Sequence, residues 1–126
     1  MILLTRSKDF DRIFRHGSSV SSLEMVLYSF RRPAKYGFPE ARVAFCVSKK
    51  LFGGAVMRNR VRRRLREIYR LICGKLDARW DVIILARQGA STAQFAKMER
   101  KFLNLCLKLG VLKETQEQNP QKNVQV

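Results

Sequence analysis

Ala55-Val56-Met57-Arg58-Asn59-Arg60-Val61-Arg62-Arg63-Arg64-Leu65-Arg66-Glu67-Ile68-Tyr69-Arg70-Leu71-Ile72-Cys73 is the stretch that decides the fold. Gly53-Gly54 breaks the chain before it and Gly74 after it, which predicts a helix from about Val56 to Cys73. Val61, Leu65, Ile68 and Ile72 recur at offsets of four, seven and eleven. At about 100° per residue they fall within roughly 60° of one another, a narrow apolar stripe facing a core. With Val61 at 0°, Arg62, Arg63, Arg66 and Arg70 lie at about 100–200°, away from that core, and Arg60 and Arg64 form a second row on the other flank.

Working outward, Arg42–Ser48 reads as a strand before the helix, and Lys49 and Lys50 are placed at its end. Trp80–Ala86 reads as a short strand covered on both faces. Val20–Phe30, rich in branched and aromatic residues, is a further strand. Ser7 is the candidate cap of a short helix, Lys8 to about Arg15, with Phe10, Ile13 and Phe14 on one face and Gly17 at its end. Ser91 or Thr92 is the candidate cap of a last helix that turns Phe95, Met98, Phe102, Leu105 and Leu109 inward and stops at Gly110. The order helix, strands, helix, strand, helix describes an α+β sandwich, a single domain over residues 1–112. The polar stretch from Lys113 to Val126 has almost no core residues and reads as a disordered tail.

The chain has 126 residues, 46% of them hydrophobic, enough for one core. Its 26 Lys and Arg stand against 10 Asp and Glu, a formal net charge of +16. A small domain cannot bury that charge, so the surface attracts polyanions, nucleic acid first. No apolar run is long enough to cross a membrane, and the first residues do not read as a signal peptide. Cys46, Cys73 and Cys106, an odd number in apolar surroundings, suggest reduced, buried thiols and a cytoplasmic protein. His16 is the lone histidine, which removes most metal sites and acid–base schemes.

Nine basic residues lie between Lys49 and Arg70, and only Glu67 opposes them. Like charges three and four apart on a helix repel by a few tenths of a kcal/mol per pair, so a helix selected for stability alone would alternate Glu with Arg. The missing glutamates point to an external anion. Arginine suits phosphate and bases because its planar guanidinium binds bidentately and stacks. The bland alternative is a solvated basic face. Phe10, Phe14 and Tyr28 are ordinary core candidates by pattern, yet aromatics beside cations also hold single-stranded nucleic acid. Tyr28 is expected to expose its ring more readily than Phe14, since a short helix must bury something.

Ser48-Lys49-Lys50 followed by Ala55-Val56-Met57-Arg58-Asn59-Arg60-Val61-Arg62-Arg63 resembles the protein component of bacterial ribonuclease P. Asp9-Phe10-Asp11-Arg12-Ile13-Phe14-Arg15-His16-Gly17, Val26-Leu27-Tyr28 and Ile83-Ile84-Leu85-Ala86-Arg87 extend the resemblance over roughly residues 5–110. The stretch Leu51-Phe52-Gly53-Gly54 is one residue longer than the commonest family spacing, and Arg64 stands where the family often has an apolar residue. The resemblance implies an α-β-β-β-α-β-α fold with a left-handed βαβ crossover, against the general preference. It implies a subunit that binds a catalytic RNA, which removes the 5′ leader of precursor tRNA with Mg²⁺ held mainly by the RNA. Arg58, Asn59, Arg60, Arg62, Arg63 and Arg66 would touch that RNA. Phe10, Phe14, Tyr28, Lys49, Lys50 and Arg87 would meet the leader. No catalytic or metal-binding residue is assigned to the protein, and neither a membrane nor a protein partner is expected.

The competing class is a ribosomal-type RNA-binding protein or RNA chaperone, which charge and size fit equally well. A self-sufficient nuclease would need clustered carboxylates for metal, and a membrane-surface helix a broader apolar face.

Overall fold

Trp80-Asp81-Val82-Ile83-Ile84-Leu85-Ala86 forms the central strand, β5 (Trp80–Ala86), as its apolar run predicts. The computed structural model describes residues 1–113. Beside β5 runs β4 (Arg42–Cys46), parallel, and on its other side β3 (Met25–Arg31), antiparallel. The edges are β1 (Ile2–Leu3), parallel to β4, and β2 (Ser18–Ser21), antiparallel to β3, giving the order β1-β4-β5-β3-β2. The helices are α1 (Ser7–His16), α2 (Lys49–Phe52), α3 (Ala55–Ile72) and α4 (Phe95–Leu109). The protein is thus a mixed α+β fold, as the sequence predicts, with β1 and α2 as additions and β4 joined to its parallel neighbour β5 through α2 and α3.

Alternation along the strands divides the core in two. Met25, Leu27, Val43, Val82, Ile84 and Ala86 face Val61, Leu65, Ile68 and Ile72 of α3 and Met98, Phe102 and Leu105 of α4. Among the described residues the opposite face carries only α1, whose Ile13 meets Ala44 and Ile83, with Leu4 beside them and Phe10, Tyr28 and Phe30 around the margin. One short helix cannot cover that face, so part of it stays open.

Several local expectations are corrected. Val20–Phe30 is a hairpin, not one strand, because Ser22 bends the chain: its Oγ accepts from the N–H groups of Glu24 and Met25, each at 3.3 Å. Ser7 lies inside α1, and the N-cap is Arg6, without a side-chain cap. Gly17 does end α1, but at φ −81°; what excludes a side chain is close approach, since a Cβ would run into the Ile13 and Ser29 carbonyl oxygens. Ser91 belongs to a 3-10 turn, Gln88–Ser91, and α4 begins after Gln94, which leaves Phe95 exposed rather than inward. Gly110 ends α4 as expected, at φ +70°. Lys49 and Lys50 belong not to a strand end but to α2, whose first N–H groups are capped by Ser48 Oγ at 3.1 and 3.4 Å. Cys106 is buried, whereas Cys46 and Cys73 are only half-buried; all three thiols are free. The tail read over residues 113–126 lies outside the described residues, apart from Lys113, whose N–H donates to the Lys75 carbonyl at 2.7 Å.

Candidate RNA interface

One end of the α1-side face is closed by charge. Asp81, 1% exposed, accepts from Arg32 Nη1 at 2.6 Å and from Arg42 Nε and Nη2 at 2.8 and 2.6 Å. Arg42 Nη1 reaches Asp9 on α1 at 3.4 Å, and the bond to Asp81 is the main reason its guanidinium is held above its ordinary pKa. Buried cations demand this kind of pairing, and the network pins the start of α1 to the sheet.

The other end is open. Ser19 stands opposite Tyr28 and Ser21 opposite Val26; Val26 in turn stands opposite Leu85, and Leu85 opposite Cys46. Val26, Tyr28, Leu85 and Cys46 are all half-buried. Above them the Phe14 ring sits edge-on to Tyr28, with centroids 4.8 Å apart. Phe14 is 47% exposed and Tyr28 less so, the reverse of the sequence expectation. The reason is that Ile13 supplies the anchor of α1, leaving Phe14 at the rim. Phe10 is half-buried and packs against the small core beneath α1. The structure therefore brings Phe10, Phe14 and Tyr28 together along one cleft. Val26, Cys46 and Leu85, not singled out from the sequence, form its floor; the parity of Leu85 with Ile83, and of Cys46 with Ala44, was the signal for them.

The arginines belong to α3, on the other face of the sheet, and one of them acts on the Cys46 edge of this cleft. Burial pushes the Cys46 thiol up, and the nearby positive charge of Arg62 on α3 pulls it down. Arg62 also donates to Asn59 Oδ1 at 3.1 Å, while Arg58 donates to the Gly53 carbonyl. Arg66 lies over the Phe45 ring at 5.8 Å. Arg60 and Arg63 are exposed and have no ion-pair partner among the described residues. Arg70 pairs with Glu67 at 3.5 Å. Arg64 departs from the two-row reading: it donates to the Ala93 carbonyl and touches Met98 Sδ at 3.2 Å, so it fastens α3 to α4 instead of joining an outward row. Lys49 and Lys50 are exposed on α2, past the Cys46 end of β4. Arg87 is exposed just past β5, at the same end of the sheet, and donates to the Ser22 carbonyl at 3.0 Å.

A sequence profile of the Ribonuclease P family matches residues 2–110. The chain belongs to the ribonuclease P protein family. It is 39% identical over 105 residues to a ribonuclease P protein component of Streptococcus pneumoniae (strain Hungary19A-6), covering 83% of this chain and 80% of that protein. Its fold matches the Staphylococcus aureus RNase P protein with a TM-score of 0.75 at 27% identity, over 90% of this chain and 99% of the other. It matches the Thermotoga maritima RNase P protein with a TM-score of 0.70 at 28% identity, over 83% and 94%. Membership carries a general role in ribonuclease P, a ribonucleoprotein nuclease of tRNA processing, and with it an RNA partner. Among the described residues no helix is long and apolar enough to cross a membrane.

Proposed function

We propose that the protein binds the catalytic RNA of ribonuclease P through Arg58, Asn59, Arg60, Arg62, Arg63 and Arg66, and holds the 5′ leader of precursor tRNA in the cleft between α1 and the sheet. The observation that carries this reading is the half-exposed Phe14–Tyr28 pair on the open face of the sheet, whose Cys46 edge feels the positive charge of Arg62 on α3. Stacking platforms beside cations hold unpaired bases, while the cations track phosphate. Lys49, Lys50 and Arg87 line the end of the sheet by which a strand would leave. The cytoplasm is where precursor tRNA would be met.

In this proposal the chemistry belongs to the RNA, with Mg²⁺ held there. The protein's own donors do not fit a metal cage: among the described residues no three His, Cys, Asp or Glu converge, and Asp9 and Asp81 are committed to arginines. The test is cleavage of precursor tRNA at low Mg²⁺ by catalytic RNA alone, protein alone and both. Cleavage by the pair only is the expected result. Cleavage by RNA-free protein would overturn the subunit reading, and no gain on adding protein would favour a general RNA chaperone.

A further inference from the structure

A second depression, of about 670 Å³, lies between the β2–β3 turn and α4. Ser21 lines it from the end of β2, Leu23 from the turn, Arg87 from beyond β5, and Lys101, Asn104 and Lys108 from one face of α4. Offsets of three, four and seven put those three on the same side of a helix, flanking the buried stripe of Met98, Phe102 and Leu105. Among the described residues no carboxylate lines the groove. Lys101 and Lys108 have no ion-pair partner among the described residues, whereas Lys97, one turn earlier on α4, reaches the buried Glu24 at 3.7 Å. The same helix thus carries one neutralised lysine and, facing the groove, two that are not. Leu23, 75% exposed, and Leu107, 54% exposed, make apolar banks on either side.

We propose that this groove is a second binding site for single-stranded RNA, taking the part of the leader that has passed through the cleft. The inference rests on the leader reading of that cleft. Continuity carries it. Ser21 is the last residue of the open sheet face, opposite Val26, and also a wall of the groove. Arg87 follows Leu85 by two residues and is tied to the Ser22 carbonyl, so it stands at the junction. A strand running past Tyr28, Val26 and Leu85 has only the β2–β3 turn to cross before it meets Lys101 and Lys108. Cations without acids bind a polyphosphate chain, and the exposed leucines offer apolar surface to base faces.

The experiment uses protein reconstituted with catalytic RNA and a graded series of substrates: mature tRNA, precursors whose leaders end inside the cleft, and precursors whose leaders extend beyond the Ser21–Leu23 turn. Lys101→Ala with Lys108→Ala is compared with wild type and with Lys75→Ala, an exposed lysine outside the groove. The double variant should lose about tenfold in affinity for the long leaders only, and its log–log salt slope there should fall by about 1.4, two single-strand phosphate contacts. If wild type gains affinity with leader length and the variant gains as much, the groove proposal is overturned and the cleft reading stands. Equal loss for every substrate, or weaker binding of catalytic RNA, assigns the groove to the catalytic RNA and also overturns it. A wild type indifferent to the leader overturns the cleft reading and the groove proposal together.

Discussion

Phe14→Ala separates a binding aromatic from a packing one, and the structure sets both magnitudes. Truncating a fully buried phenylalanine costs about 3–5 kcal/mol. Phe14 is 47% exposed and meets Tyr28 edge-to-face, with ring centroids 4.8 Å apart, a pair worth about 0.5–1.5 kcal/mol. The expected stability loss is therefore about 1–2 kcal/mol, a fall in Tm of roughly 5–10 °C for a domain of this size. The loss in binding should be of a different kind. Each stacked base contributes about 1–3 kcal/mol, so affinity for a leader-bearing precursor should drop by roughly 5- to 150-fold. Mature tRNA has no leader and should bind as before. The assay is a melting curve beside equilibrium binding of both tRNAs to the reconstituted enzyme. Refutation takes either of two forms: a Tm drop of core size with equal loss for both tRNAs, or unchanged affinity for the precursor.

Arg62→Ala with Arg66→Ala should weaken binding to catalytic RNA and lower its log–log salt slope by about 1.4–1.8, near 0.7–0.9 per lost phosphate; an unchanged slope would make the α3 face solvated surface. Asp81→Ala should cost about 3–5 kcal/mol in urea unfolding, because it strands Arg32, 4% exposed, without its carboxylate; a cost under about 1 kcal/mol would contradict the pairing. Burial pushes the Cys106 thiol up to about 12. Its folded value lies above the unfolded one, about 8.5, so its contribution is complete below about pH 8.5 and is lost as pH rises toward 12. Cys106→Val should flatten that alkaline limb, and folded Cys106 should resist a thiol reagent that reaches half-buried Cys46 and Cys73; prompt labelling of Cys106 would refute its burial.

Much of the fold was legible because hydrophobic period reports the face a residue turns to the core. Val61, Leu65, Ile68 and Ile72 are all buried along α3, and Trp80–Ala86 has the bounds its composition predicts. The misreadings share a cause. Ser22 splits Val20–Phe30 through hydrogen bonds its hydroxyl makes only after the chain has turned, and Ser48, not Ser7 or Ser91, supplies a cap. Short polar side chains compete for backbone groups in ways that spacing does not rank. Arg64 shows the limit for charge: a position on a wheel cannot reveal that α4 lies alongside with the Ala93 carbonyl free to accept.

By itself the sequence determined the helix with its narrow stripe, the central strand, the one-signed arginine run and the family those motifs belong to, because each is a matter of local period, composition and spacing. Tertiary structure alone decided which face stays open. Asp81 draws Arg32 and Arg42 into one end of the sheet, Ile13 anchors α1 above it, and too little helix remains to cover Val26, Tyr28, Leu85 and Cys46. That vacancy depends on how far one element reaches over another across distant parts of the chain, a quantity no local pattern encodes.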